Sequence, residues 1–232
     1  FAATDPSGGA GIQADILTLT SMGCHALSVV TAITVQDTVG VDDYLPIDAD
    51  WIADQARSVL EDMPVAAFKI GLLGSIEAIA AIAEIVSDYP DVPLILDPVL
   101  ASGRGDELAN DDMQAALLDM LIPQTTILTP NSMEVRRLLQ DEGEEGVELD
   151  LEECARRLID LGCEYVLITG THESTPHVIN RLYGDHRLLE TYTWNRLPAS
   201  YHGSGCTLAT AIAALLAQGM DPKTAIHEAQ EY

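Results

Sequence analysis

Five short apolar runs alternate with helical stretches along this chain. No other feature limits the fold as much. The runs are 26–35, 66–73, 93–96, 125–129 and 165–169. Apolar spacing together with capping and stop residues predicts helices over 12–22, 48–61, 76–87, 111–121, 132–140 and 151–161. The runs are nearly continuous in apolar residues, so both of their faces must be covered. That condition describes a parallel sheet between two helix layers, with right-handed crossovers. Residues 177–194 read as an antiparallel hairpin turning at Gly184-Asp185. A buried helix closing at Gly219 and a last one starting at Pro222 complete the chain. The stretch around Pro46 reads as a loop, and the acidic run 141–150 as a solvated loop. No linker or repeat interrupts the pattern, so one domain over 1–232 is expected.

In such sheets ligands bind beyond the carboxyl ends of the strands. Gln36, Asp97, Asn131 and Thr169 all fall at predicted strand ends. The second candidate is His202-Gly203-Ser204-Gly205-Cys206-Thr207, where two glycines frame a helix start. A helix N-terminus offers unpartnered N–H groups and the positive end of the dipole, which together suit a phosphate or a transferring phosphoryl group. Cys206 stands in the first turn, where a thiol pKa is expected to fall. Asn131 and Glu134 carry the spacing of a helix cap; Asp97 with Glu134 also suits Mg²⁺ held through waters beside phosphates. Gly9-Ala10-Gly11-Ile12-Gln13-Ala14 matches the G-x-G-x-x-A dinucleotide pattern but lacks its acid at the end of the next strand. Asp15, one turn into that helix, is placed to bond a hydroxyl. The P-loop and G-x-S-x-G patterns are absent. His172 to His177 has one residue too many for a zinc helix and contains Pro176.

Charge excludes other classes. Thirty-seven acids face 11 bases, a net charge of −26, and the two lysines are Lys69 and Lys223. A nucleic-acid surface needs a basic face, and anionic membranes repel this balance. The composition suits a cytoplasm with molar salt and so a halophilic archaeon. Cys24, Cys154, Cys163 and Cys206 form no C-x-x-C pair, so free thiols in a reducing compartment are expected. The chain opens as though inside a strand, so trimming at its ends is expected.

Taken together, Thr4 to Asp15, Val30 to Gln36, Lys69-Ile70-Gly71-Leu72-Leu73, Asp97-Pro98-Val99, Thr129-Pro130-Asn131 with Glu134, and His202 to Thr207 resemble the hydroxymethylpyrimidine/phosphomethylpyrimidine kinases of the ribokinase superfamily. The resemblance implies a three-layer α/β/α sandwich and ATP- and Mg²⁺-dependent phosphorylation of 4-amino-5-hydroxymethyl-2-methylpyrimidine, then of its monophosphate. It implies that Asp15 and Gln36 bind the pyrimidine and that Leu72 and Val99 line its pocket. Gly203, Ser204, Gly205 and Cys206 become the anion hole, with Cys206 as the base. Asp97 and Glu134 serve Mg²⁺, and Asn131, Glu134 and Thr169 serve the nucleotide. The implied partners are the pyrimidine and a second copy of the chain, with no nucleic acid and no membrane. Three departures stand out. Thr169-Gly170-Thr171-His172 replaces the usual lysine-glycine-glycine-histidine. Ala3 replaces a glycine. The chain stops at Tyr232, before the family's last helical segment. A pyridoxal/pyridoxine kinase on the same scaffold, or a silent pyrimidine-sensing domain, are the alternative readings.

Overall fold

The computed structural model describes residues 1–102, 105–140, 149–199 and 201–232. Its main sheet has six strands in the order β3-β4-β5-β6-β7-β8. These are β3 (Phe68–Ile70), β4 (Leu94–Leu96), β5 (Ile127–Leu128), β6 (Tyr165–Ile168), β7 (His177–Gly184) and β8 (Arg187–Asn195). β3 to β6 pair in parallel; β6, β7 and β8 pair antiparallel. The β7–β8 turn uses Asp185 and His186, both at positive φ.

Side-chain alternation shows why the strands read as continuous apolar runs. Leu94, Leu96, Leu128, Val166 and Ile168 enter one core with α2 (Ala49–Asp62), α3 (Ile76–Ser87) and α6 (Leu151–Asp160). Ile95, Ile127 and Leu167 enter a second core with α7 (Ser204–Ala217) and α8 (Pro222–Glu231). Both faces are covered, as a parallel sheet requires. Local signals start the helices: Asp48 accepts from Asp50 N–H to cap α2, and Ser75 accepts from Ala78 N–H to cap α3.

The structure corrects the first strand. Residues 26–35 do not form one strand of the main sheet. Ala2 bridges Val30 in parallel, and Phe1 exchanges hydrogen bonds with Lys69 and Gly71, so residues 1–4 lie between β3 and the segment near Val30. The chain then peels away as β1 (Ala32–Gln36) and pairs antiparallel with β2 (Val41–Pro46), the stretch read as a loop. β2 lacks a buried face, so its composition carried no strand signal. Helix 111–121 also changes character: α4 (Asp111–Ala116) runs into a π-helical turn over Leu117–Leu121. The remaining α-helices among the described residues are α1 (Gly11–Ser21) and α5 (Ser132–Leu138). The predicted acidic loop lies mostly outside the described residues. Among them no helix is long and apolar enough to cross a membrane.

Candidate active site

The chain enters α7 through Gly203, which sits at φ 79° as the helix cap. A Cβ there would stand 1.8 Å from the Gly9 carbonyl oxygen, so both conformation and space demand glycine. No side chain caps this end, and the N–H groups of the first turn lack carbonyls within the helix. Asp97, following β4, lies beneath it: a Cβ on Gly205 would be 3.9 Å from Asp97 Oδ2. Gly203, Ser204, Gly205, Cys206 and Asp97 are therefore brought together.

Under the helix end is a buried polar group that the sequence did not single out. β3 sends Phe68 and Ile70 into one core and Lys69 to the opposite face. There Lys69 Nζ donates to both Asp15 oxygens, at 2.9 and 3.0 Å. Thr210 of α7 donates to Asp15 Oδ1 at 2.6 Å. All three residues are buried. Burial opposes the charge on Lys69, but Asp15, Cys206 and Asp97 hold it protonated, above its ordinary range. The Asp15 carboxylate, read as a substrate ligand, is engaged by Lys69 and Thr210. The one legible signal was a lysine inside an apolar run of a chain with two lysines.

The thiol expectation is reversed. Burial pushes the Cys206 pKa up to about 12, and Asp97 and Asp15 add to it; Lys69 and the Gly11 N–H pull the other way. Helix position alone does not set a thiol when two carboxylates face it. Asp97 is also raised, by burial first and by Asp15, against Lys69 and a hydrogen bond from Cys206.

Asn131 caps α5, accepting from the N–H groups of Met133 and Glu134, and Glu134 Oε2 accepts from Asn131 N–H at 2.9 Å. The capping reading is thus realised in full. Burial, then the nearby Asp97, raises the Glu134 carboxyl to about 8. Thr169 pairs in parallel with Asn131, continuing β6 beyond the sheet edge. Leu72, Asp97 and Val99 line one recess with Met113. Gln36 ends β1 rather than a strand of the main sheet, and its Nε2 donates to Thr4 O at 3.1 Å.

A glycine-framed helix terminus beside buried acids, at the carboxyl edge of a largely parallel sheet, suits a phosphate-bearing small molecule, and the matches to known kinases make the chain a phosphotransferase of ribokinase-like fold. The sequence profile described as phosphomethylpyrimidine kinase matches residues 5–232, and the chain belongs to that family. It is 35% identical to the hydroxymethylpyrimidine/phosphomethylpyrimidine kinase of Escherichia coli, covering 100% of this chain and 87% of that protein. The corresponding kinase of Mycobacterium bovis is 39% identical, covering 97% and 82%. Among solved structures, the phosphomethylpyrimidine kinase of Clostridium difficile superimposes with a TM-score of 0.83 at 32% identity, covering 99% and 94%. An ADP complex of Bacillus subtilis pyridoxal kinase gives 0.86 at 29% identity, covering 100% and 87%.

Proposed function

We propose that this chain transfers the γ-phosphoryl group of ATP to the hydroxymethyl oxygen of 4-amino-5-hydroxymethyl-2-methylpyrimidine, and then a second group to the monophosphate. The observation that carries the reading is the α7 terminus: Gly203 packed on Gly9, and a helix start that no side chain caps beside Asp97. Phosphoryl transfer asks the protein mainly for positioning and charge stabilisation. The N–H groups of Ser204, Gly205 and Cys206 meet the charge developing on the phosphoryl oxygens. The new O–P bond forms as the bond to ADP breaks, and the hydroxyl proton leaves as that oxygen becomes acidic. Cys206 receives it as thiolate. The thiol is protonated in the resting protein, so it first gives its proton to bulk water as the site fills; Lys69 supports the thiolate left behind, which the hydroxyl proton then returns to the thiol form.

Gln36 recognises the pyrimidine. An amide that donates to Thr4 O turns its oxygen toward a ligand amino group and keeps a second N–H for a ring nitrogen. Leu72 and Val99 cover the ring. Asp97 and Glu134 lie close enough for their like charges to repel, and a divalent cation between them would relieve that repulsion. Asp97 and Glu134 would hold Mg²⁺ through waters. When bound, Mg²⁺ would neutralise phosphate charge; Asn131 and Thr169 flank the nucleotide.

Pyridoxal is the second reading, favoured by the close superposition on pyridoxal kinases. A second copy of the chain is the partner we assign to the exposed face formed by Ile33, Val35 and Leu45 of the small sheet. ADP release, measured in molar KCl with the pyrimidine, its monophosphate and pyridoxal in turn, tests the assignment. The first two should turn over and pyridoxal should lag; pyridoxal in the lead would reverse the two readings.

A further inference from the structure

The glycine-rich loop Asp5–Ala10 and the loop entering α7 are 197 residues apart in sequence yet pack together around a buried carboxylate. Asp5 is 0% exposed. Its Oδ1 accepts from Ser7 N–H at 2.8 Å, and its Oδ2 from Ser7 Oγ at 2.9 Å and Ala10 N–H at 2.7 Å. The remaining partner comes from the other loop: His202 Nε2, 2.9 Å from Asp5 Oδ2. The backbones leave no clearance around this bond. A Cβ on Gly9 would lie 2.8 Å from His202 Cδ2, and one on Gly203 would lie 1.8 Å from Gly9 O.

We propose that the Asp5–His202 pair is a positioning latch: it fixes the register of the first glycine loop against the anion hole, and so the distance between the acceptor hydroxyl and the phosphoryl group. The proposal rests on the kinase reading for its effect on rate. Asp5 lies in a nest of donors that favours the carboxylate. A carboxylate can only accept, so His202 donates from Nε2 and holds that tautomer.

The latch lies outside the main supports of the fold. Residues 1–4 are pinned by Val29, Lys69 and Ala32, and Ile12 N–H donates to Ala3 O. α7 is held by Ala209, Ala211 and Ile212 in its core. Breaking one bond between the loops leaves both anchors in place and frees only their relative position. Reacting groups displaced by about 1 Å can lose about 10²-fold in rate. The loss therefore belongs in kcat, with ligand affinities largely kept.

Four variants measured in molar KCl decide it: His202→Leu, His202→Gln, Asp5→Asn and the double Asp5→Asn/His202→Leu. His202→Leu should lower kcat by about 10²-fold while both KM values stay within about threefold. His202→Gln carries an N–H of similar reach and should recover most of the rate. The double variant should be no slower than Asp5→Asn, since that substitution already loses the His202 bond along with those from Ser7 and Ala10. A kcat for His202→Leu close to wild type in folded protein, or losses that multiply in the double variant, overturn the latch. Imidazole ¹⁵N shifts of ligand-free wild-type protein give a reading that needs no turnover. The latch requires Nε2–H on His202 in slow exchange, and an Nδ1–H tautomer overturns it. An inactive wild type with the latch signature sinks the kinase reading alone.

Discussion

At the scale of single residues the site is decided by which charges face each other. Cys206 tests this most simply. Cys206→Ala should lower kcat by about 10²-fold, the usual worth of a general base, with KM for ATP little changed because the anion hole is backbone. A kcat near wild type would make the thiol structural. Lys69→Met should cost about 3–5 kcal/mol, because it strands Asp15 as a buried, unpaired carboxylate; a melting temperature equal to wild type would contradict the pairing. Glu134 makes a pH prediction. Its pKa rises from 4.5 to about 8 in the folded chain, so the folded state keeps a proton that the unfolded chain releases. That contribution is complete below the unfolded value and is lost as pH rises through about 8. Melting temperatures of ligand-free protein should fall over that window, and Glu134→Gln should flatten the fall. Single-residue legibility was uneven. Asp97, Glu134 and Cys206 sit in recognisable motifs. The high thiol pKa, and the Lys69–Asp15–Thr210 group that influences it, depend on three elements meeting across the sheet, which spacing along the chain does not encode.

At the scale of elements, the two glycines of α7 should part company. Gly203→Ala forces a Cβ against Gly9 O in a left-handed conformation, a strain of about 1–3 kcal/mol before the clash. It should lower both stability and rate. Gly205 has room for a Cβ, so Gly205→Ala should melt no lower than wild type yet bind phosphate less well, because the methyl occupies the approach to the N–H groups. Comparing melting curves with the affinity for a non-hydrolysable ATP analogue separates the two; parallel behaviour would deny the anion hole. Helices with clear caps, such as α2 and α3, were legible from Asp48 and Ser75. The β1–β2 pair was not. Ile33 and Val35 are exposed here, so their apolar run signalled burial in the main sheet instead, and β2 carried no strand signal at all. Gln36 belongs to that displaced hairpin and reaches the main sheet through Thr4.

At the scale of the whole molecule the net charge of −26 governs behaviour. Carboxylate repulsion opposes the compact state until salt shortens the screening length to about 3 Å, near 1 M. The melting temperature should climb from dilute buffer to molar KCl; a flat profile would refute this. The layered architecture was legible because alternating strands and helices leave few ways to cover both faces of a sheet. The chemistry was legible only where motifs fall at strand ends and at the α7 start. The reaction to follow is transfer of a phosphoryl group from ATP to the pyrimidine's hydroxymethyl oxygen. ³¹P NMR of ATP with the pyrimidine in molar KCl follows that group directly. A phosphomonoester resonance should grow with ADP, followed by the coupled pair of a diphosphate. Inorganic phosphate as the sole product, or an ester formed on pyridoxal but not on the pyrimidine, would contradict it.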